Sequence, residues 1–201
     1  AQSQVVGVTR EISSEYYPVP GSIIFDKSTG NTLSYDKYQA MMMGNPNMRY
    51  EPKEEDLDGV PISYYVYLQK PGNSSQAESI KEIPKIERHD LDGNIVKWPN
   101  YSGKKALIIL QVDLQLPMIN VEGIKEAEDS ALEDAGISSL IITRTDQETS
   151  RNFVKAQGLK SKVIPNAYYL INKFEVRRYP KFFLVDSNGT ILESTVFYDE
   201  V

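Results

Sequence analysis

The stretch that decides the fold begins with ALIILQV at residues 106–112 and continues with VEGIKEAEDSALEDA at 121–135 and SLIIT at 139–143. The first run is almost wholly apolar, which is typical of a strand covered on both faces. The second run repeats apolar residues every three or four positions, which indicates one buried face of a helix, and Gly136 suits its end. The stretch therefore predicts a strand, a helix and a second strand parallel to the first, joined by a right-handed crossover.

Turn and capping signals extend this unit in both directions. Downstream, TDQE at 145–148 predicts a capping box that opens a helix to about Gln157, with Thr145 as the N-cap and Gly158 after the end. KFFLV at 181–185 and TILES at 190–194 flank DSNG, and upstream KIERH at 85–89 and NIVKW at 94–98 flank DLDG. Each pair predicts a hairpin, so the sheet is expected to be mixed.

Residues 1–81 have a different texture, rich in Tyr, Met, Pro and Ser, and PGNSSQ at 71–76 reads as a linker. We predict an N-terminal extension of short strands (22–26 and 62–68) and one helix (33–43, with Ser34 as N-cap). This extension is expected to pack on a main domain formed by residues 82–201. EEDLDG at 54–59 predicts a solvated acidic turn, because the position of the bidentate Glu in a calcium loop falls on Tyr65.

The composition excludes several classes of function. The 201 residues are 40% hydrophobic and 25% charged, so the chain can bury a hydrophobic core. Its net charge of -6 disfavours binding to nucleic acid. No apolar run approaches the roughly 20 residues of a membrane span. The chain has no cysteine and a single histidine, His89, for which a structural role is expected. We therefore predict no catalytic residue, no metal site and no cofactor.

The order of these elements and their landmarks resemble the thioredoxin fold, in its TlpA-like and AhpC/TSA-like branch. The landmarks are DLDG in the first hairpin, the Gly103-Lys104 pair before the central strand, and YPKFFLVDSNG at 179–189. The resemblance spans about residues 82–195 and implies a three-layer α/β sandwich with a mixed central sheet. It also implies a cis peptide bond between Tyr179 and Pro180. The fold usually ends with a further helix, so one sheet face is expected to lack cover, unless the helix over 33–43 or a partner supplies it.

The family's Cys-x-x-Cys motif is lost. Alignment of the strand and helix places Gln115, Leu116, Pro117 and Met118 over Cys-x-Pro-Cys. Thiol–disulfide exchange needs an attacking thiolate and a resolving thiol, and neither Gln115 nor Met118 supplies one.

What the resemblance leaves is a peptide-binding surface at Tyr179, Pro180, Gln115 and Met118, where an extended protein or peptide partner could pair with the backbone. The opening residues AQSQ fit a mature end after removal of a signal peptide as well as an arbitrary fragment start, and we expect an extracytoplasmic (periplasmic or secreted) protein. The leading hypothesis is a redox-inactive binding or scaffold protein. Two alternatives stay open: an oxidoreductase that uses a partner's thiols or an undetected cofactor, and a structural interaction module that uses the Tyr-rich N-terminal region.

Overall fold

A computed structural model describes residues 17–69, 80–99, 103–115, 121–133, 137–176 and 178–196. The strands are β1 (Ile23–Asp26), β2 (Thr32–Leu33), β3 (Met48–Glu55), β4 (Pro61–Leu68), β5 (Ile86–His89), β6 (Ile95–Trp98), β7 (Lys105–Gln111), β8 (Ile137–Thr143), β9 (Lys162–Ile164), β10 (Lys181–Val185) and β11 (Ile191–Val196). The helices are α1 (Tyr35–Gly44), α2 (Val121–Glu133), α3 (Gln147–Gln157) and α4 (Tyr168–Asn172). None of the helices in the described part of the chain has the length and apolarity to cross a bilayer.

The chain divides into two compact units. The described residues of Ala1–Glu55 and Val60–Pro71 form the first, and those of Asp56–Gly59 and Gly72–Val201 form the second. The turn between β3 and β4 thus groups with the second unit, although both strands belong to the first. The predicted boundary after residue 81, and the packing of the extension on the main domain, stay predictions.

The second unit is built on a mixed sheet of five strands in the order β11-β10-β7-β8-β9. β7, β8 and β9 are parallel, whereas β10 runs antiparallel to β7 and β11 antiparallel to β10. The predicted strand–helix–strand unit and closing hairpin are confirmed. β9 and α4 lie between Gly158 and β10, where the sequence patterns had predicted no strand or helix.

Two apolar clusters cover the two faces of this sheet. One contains Ile109, Ile141 and Phe182 together with Ile124 of α2 and Phe153 of α3. The other lies on the opposite face, because side chains alternate along a strand, and it joins the sheet to α4 and to the β5–β6 hairpin. Its buried members include Ile86, Trp98, Ile108, Leu110, Leu170, Phe174 and Phe183. The three expected layers are therefore present. They are α2 and α3, the five-stranded sheet, and α4 together with the β5–β6 hairpin.

The N-cap of α3 is Asp146, so the prediction of Thr145 was wrong. Asp146 has an extended backbone, and its carboxylate accepts a hydrogen bond from the Thr149 N–H at 2.9 Å. Thr145 is buried instead, and its hydroxyl oxygen accepts from the Leu114 N–H at 2.9 Å. The Thr145 side chain, which the capping-box pattern assigned to α3, therefore binds the loop that follows β7 instead. Gly158 ends α3 in the left-handed conformation, as predicted.

A buried carboxylate ties α2 to the start of β9. Glu128 is 1% exposed and accepts hydrogen bonds from the Lys160 N–H at 2.8 Å, from the Ser161 hydroxyl at 2.5 Å and from the Ser161 N–H. The Ser161 hydroxyl also contacts that of Ser139 on β8. One side chain thus satisfies several polar groups that the core would otherwise leave unpaired.

Beside α2, the sheet is open along its β10–β11 side. A groove of about 350 Å³ is lined by Leu107, Ala127, Ala131, Phe182 and Leu184, with residues of β11 at its rim. Among the described residues, nothing covers this part of the sheet face. That it lacks cover in the whole protein stays a prediction. That the helix over 33–43 supplies cover stays a prediction.

The first unit is a sheet of four strands in the order β2-β1-β4-β3, with β1 and β4 parallel. Its core joins Ile24, Leu33, Met48 and Val66 to Tyr38 of α1, whose N-cap is Ser34 as predicted. Burial raises the pKa values of Tyr38 and Tyr64 to about 12. The strand β3 corrects the expectation of an acidic turn, because residues 54 and 55 belong to it and only Asp56–Gly59 forms the turn.

Candidate functional site

One edge of the five-stranded sheet brings the candidate residues together. Gln111 at the end of β7 is opposite Thr143 at the end of β8. Lys181 at the start of β10 is opposite Leu110. The chain that leaves β7 toward Gln115 and the chain that enters β10 from Tyr179 therefore meet at the same edge. Ligands of open α/β sheets bind beyond the carboxyl ends of the parallel strands, which is this edge.

The former redox loop is described only at its beginning. Gln115 is exposed, and its N–H donates to the Asp113 carboxylate at 2.9 Å. Leu116, Pro117 and Met118 lie outside the described residues, so their predicted place at the site stays a prediction. An exposed amide side chain offers hydrogen bonds to a ligand but no nucleophile.

Polar side chains beneath the loop hold its first residues. The Thr143 hydroxyl donates to the Thr145 oxygen at 3.1 Å, and the Thr145 oxygen accepts from the Leu114 N–H. The buried Gln111 amide donates to the Asp113 carbonyl at 3.0 Å, while its Oε1 has no partner among the described residues. This network was not predicted, since isolated Thr and Gln residues at strand ends carry no motif.

Tyr179 and Pro180 enter β10 through a cis peptide bond, as the resemblance implied. The Pro180 ring is buried and the Tyr179 side chain is half-buried, with its hydroxyl donating to the Val176 carbonyl at 3.0 Å. Burial raises the pKa of the Tyr179 phenol, and the positive charge of Arg144 opposes this shift. The Tyr179 main chain forms no hydrogen bond with another described residue.

Arg144 was not predicted to belong to the site. It directly follows β8, and its guanidinium carbon lies 4.7 Å from the centroid of the Tyr168 ring on α4. This arrangement is a cation–π contact. A single charged residue after an apolar strand gives no sequence signal, because α4, which positions it, was not predicted either.

The remaining sequence candidates are structural. His89 pairs through its ring Nδ1 with the Asp58 carboxylate at 2.8 Å, and the His89 backbone N–H donates to the Leu57 carbonyl. Asp186 accepts from the Asn188 and Thr190 N–H groups, as a hairpin turn requires. Within the described ranges, no group of three or more His, Asp or Glu side chains could hold a metal ion.

Comparison with known proteins shows the fold. No protein-family profile and no curated protein sequence matches the chain. A C-terminal domain assigned to a thiol-disulfide oxidoreductase of Bacteroides thetaiotaomicron is 17% identical, with 60% of this chain and 88% of that chain covered and a TM-score of 0.51. A thiol-disulfide oxidoreductase of Bacteroides fragilis is 13% identical, with 59% and 92% covered and a TM-score of 0.51. A protein assigned as a thioredoxin of Neisseria meningitidis is 23% identical, with 61% and 83% covered and a TM-score of 0.50.

Proposed function

The chain has a thioredoxin-like fold without a cysteine, and we propose that it is a redox-inactive protein that binds an extended segment of a protein or peptide partner. The proposed site comprises Tyr179 and Pro180 together with Gln115 and Met118 of the former redox loop. An extracytoplasmic location, periplasmic or secreted, is part of the proposal. Fractionation of the native host tests this location directly.

The observation that carries the proposal is the Tyr179 backbone. It lies one residue before Pro180 at the entrance to β10, and no described residue satisfies its N–H or C=O. Peptides that add as strands obtain affinity from main-chain hydrogen bonds of this kind and selectivity from nearby side chains. This mode of binding needs no sulfur.

The redox part of the proposal rests on chemistry. The thiol–disulfide reaction passes through a mixed disulfide, for which this chain has no sulfhydryl. The pure protein is therefore expected to give no turnover in an insulin-reduction assay. Clear turnover by the pure chain would overturn the proposal, and turnover only with a thiol-bearing partner would favour the enzyme alternative.

The binding part is tested with a peptide array and titration of its hits. We expect Tyr179→Ala and Pro180→Ala to weaken binding at least about tenfold, which corresponds to roughly 1.4 kcal/mol. Leu192→Ala is the control, because Leu192 is 50% exposed and lies near the start of β11, beside the end of β10 that is farther from Tyr179. Variants at Tyr179 and Pro180 that bind as well as the wild type would contradict the proposal.

One observation in the first unit supports the interaction-module alternative. Phe25 and Tyr65 stack edge to face with centroids 6.3 Å apart, and Lys53 Nζ lies 3.7 Å from the Phe25 centroid. Lys27 Nζ lies 4.8 Å from the Tyr67 centroid. Half-buried aromatic rings with cations over them suit protein contacts. A cross-linking footprint of a captured partner on this surface rather than at Tyr179 would favour the alternative.

A further inference from the structure

Arg144 makes one backbone and two side-chain contacts at the sheet edge that contains Tyr179. Its N–H donates to the Val112 carbonyl at 3.1 Å, which fixes the backbone beside the end of β7. Its guanidinium lies over the Tyr168 ring, and Nη2 donates to the Asn172 Oδ1 at 2.5 Å. Both contacts come from α4. The positive charge is therefore fixed in place by two contacts with one helix.

This charge has no counter-ion among the described residues. None of their carboxylates lies within ion-pairing distance of the Arg144 guanidinium. A guanidinium carries five N–H groups, and Asn172 accepts one of them. The Nε atom is buried and has no acceptor within the described ranges. The side chain as a whole is half-buried rather than enclosed. Such a group gains most from a ligand that brings a negative charge.

The guanidinium also acts on Tyr179. Its charge lowers the pKa of the Tyr179 phenol against the larger effect of burial. The sheet order places the two residues on either side of the chain that leaves β7, because Arg144 follows β8, Tyr179 precedes β10, and β8 and β10 are the two neighbours of β7. A strand that pairs with the Tyr179 backbone would accordingly pass close to Arg144.

We propose that the edge at Tyr179 selects extended peptides that carry an acidic side chain, whose carboxylate binds Arg144. The planar fork of a guanidinium matches the two oxygens of a carboxylate. The chain itself has a net charge of -6, so its overall field disfavours acidic peptides. A preference for them would therefore have to come from a local site. This inference rests on the proposed peptide-binding function.

The experiment titrates the full chain with matched peptide pools by fluorescence anisotropy, using an uncharged dye. Each seven-residue pool has Glu or Gln at its centre, with Ala, Ser, Thr, Val or Tyr elsewhere, and blocked ends. A third pool with a Gln centre and a free carboxyl terminus separates a terminal carboxylate from a side-chain one. The proteins are the wild type, Arg144→Gln, Arg144→Lys and the control Arg49→Gln, an exposed arginine of the first unit.

We expect the wild type and Arg49→Gln to prefer the Glu pool about tenfold or more, with the preference weakened by salt. Arg144→Gln should lose this preference, so that its affinities for the Glu and Gln pools become equal, and Arg144→Lys should retain only part of it. Equal binding of the Glu and Gln pools by the wild type, a preference that survives in Arg144→Gln, or a preference only for the free-carboxyl pool would overturn the inference and leave peptide binding intact. The wild-type comparison needs no variant to fold. Absence of binding to every pool would refute the proposed function, and this inference with it.

Discussion

The buried carboxylate of Glu128 gives the sharpest stability test. Its Oε1 accepts hydrogen bonds from three donors, the N–H groups of Lys160 and Ser161 and the Ser161 hydroxyl. Glu128→Ala removes the acceptor but leaves the donors in place. Ser161 is 8% exposed, so water cannot readily replace the lost partner there.

The size of the effect follows from those donors. A buried polar group left without a partner costs about 1–3 kcal/mol. Relaxation around Lys160, whose side chain is exposed, reduces the total below the sum, so we expect a loss of about 3 kcal/mol. For a chain of this length, that loss corresponds to a fall in Tm of about 6–12 °C. Glu128→Gln keeps a carbonyl oxygen as acceptor and should lose about half as much.

The assay combines denaturant unfolding with amide hydrogen exchange at Lys160 and Ser161. Exchange reports on the local bonds even where the two units unfold separately. Glu126→Ala is the matched control, because Glu126 is an exposed glutamate on the same helix. It should change stability by less than about 0.5 kcal/mol.

Glu128 does not stabilise the fold in this way if Glu128→Ala is as stable as Glu126→Ala and the Lys160 and Ser161 amides exchange at the wild-type rate. Such a result would mean that the cost of burying the carboxylate cancels the benefit of its hydrogen bonds. Buried charges elsewhere can show this cancellation, since replacing them with hydrophobic residues often leaves stability unchanged.

Three further predictions concern single side chains. Thr145→Val removes the hydroxyl oxygen that accepts from the Leu114 N–H. It should lower the free energy of unfolding by about 1–3 kcal/mol, whereas Thr145→Ser should retain most of the wild-type stability in the same unfolding assay. Burial raises the pKa of Asp146, but the hydrogen bonds that its carboxylate accepts, chiefly from Thr149, together lower it more, so that this pKa lies below its ordinary value. Asp146→Ala should therefore cost about 1 kcal/mol at neutral pH and less as pH falls from about 4 through the lower folded pKa, while Asp146→Asn should keep the cap without this pH dependence. Gly59→Ala should lower the Tm more than Gly30→Ala does. Both glycines have positive φ, but only at Gly59 would the new Cβ lie 2.9 Å from the Asn166 carbonyl oxygen. Equal falls in Tm would show that this contact relaxes freely.

The elements predicted from the sequence are those with strong patterns. β7, α2 and β8 carry long apolar runs or helical periodicity, and the hairpins carry Asp-Gly or Asn-Gly turns. β9 has three residues and α4 has five with no side-chain N-cap, so neither fills the window that a pattern needs. β3 was obscured by charge and by Pro52, which an edge strand tolerates.

For the candidate site, the cis peptide bond between Tyr179 and Pro180 before β10 followed from the family resemblance and is confirmed. The binding role of these residues stays a prediction. Arg144 was not predicted, because its importance depends on Tyr168 and Asn172 of the unpredicted helix α4. The N-cap error at Thr145 has a similar origin, since a partner distant in sequence, the Leu114 N–H, decides the role of that hydroxyl. Local patterns cannot report such competition.

The grouping of Asp56–Gly59 with the second unit has a practical consequence for dissecting the protein. A fragment that starts at residue 82 would lack both the Leu57 carbonyl and the Asp58 carboxylate that His89 contacts. A truncation after the linker would therefore remove part of the second unit that it is meant to isolate. A fragment designed to contain the whole second unit should retain Asp56–Gly59, either by fusion of these four residues or by keeping β3 and β4.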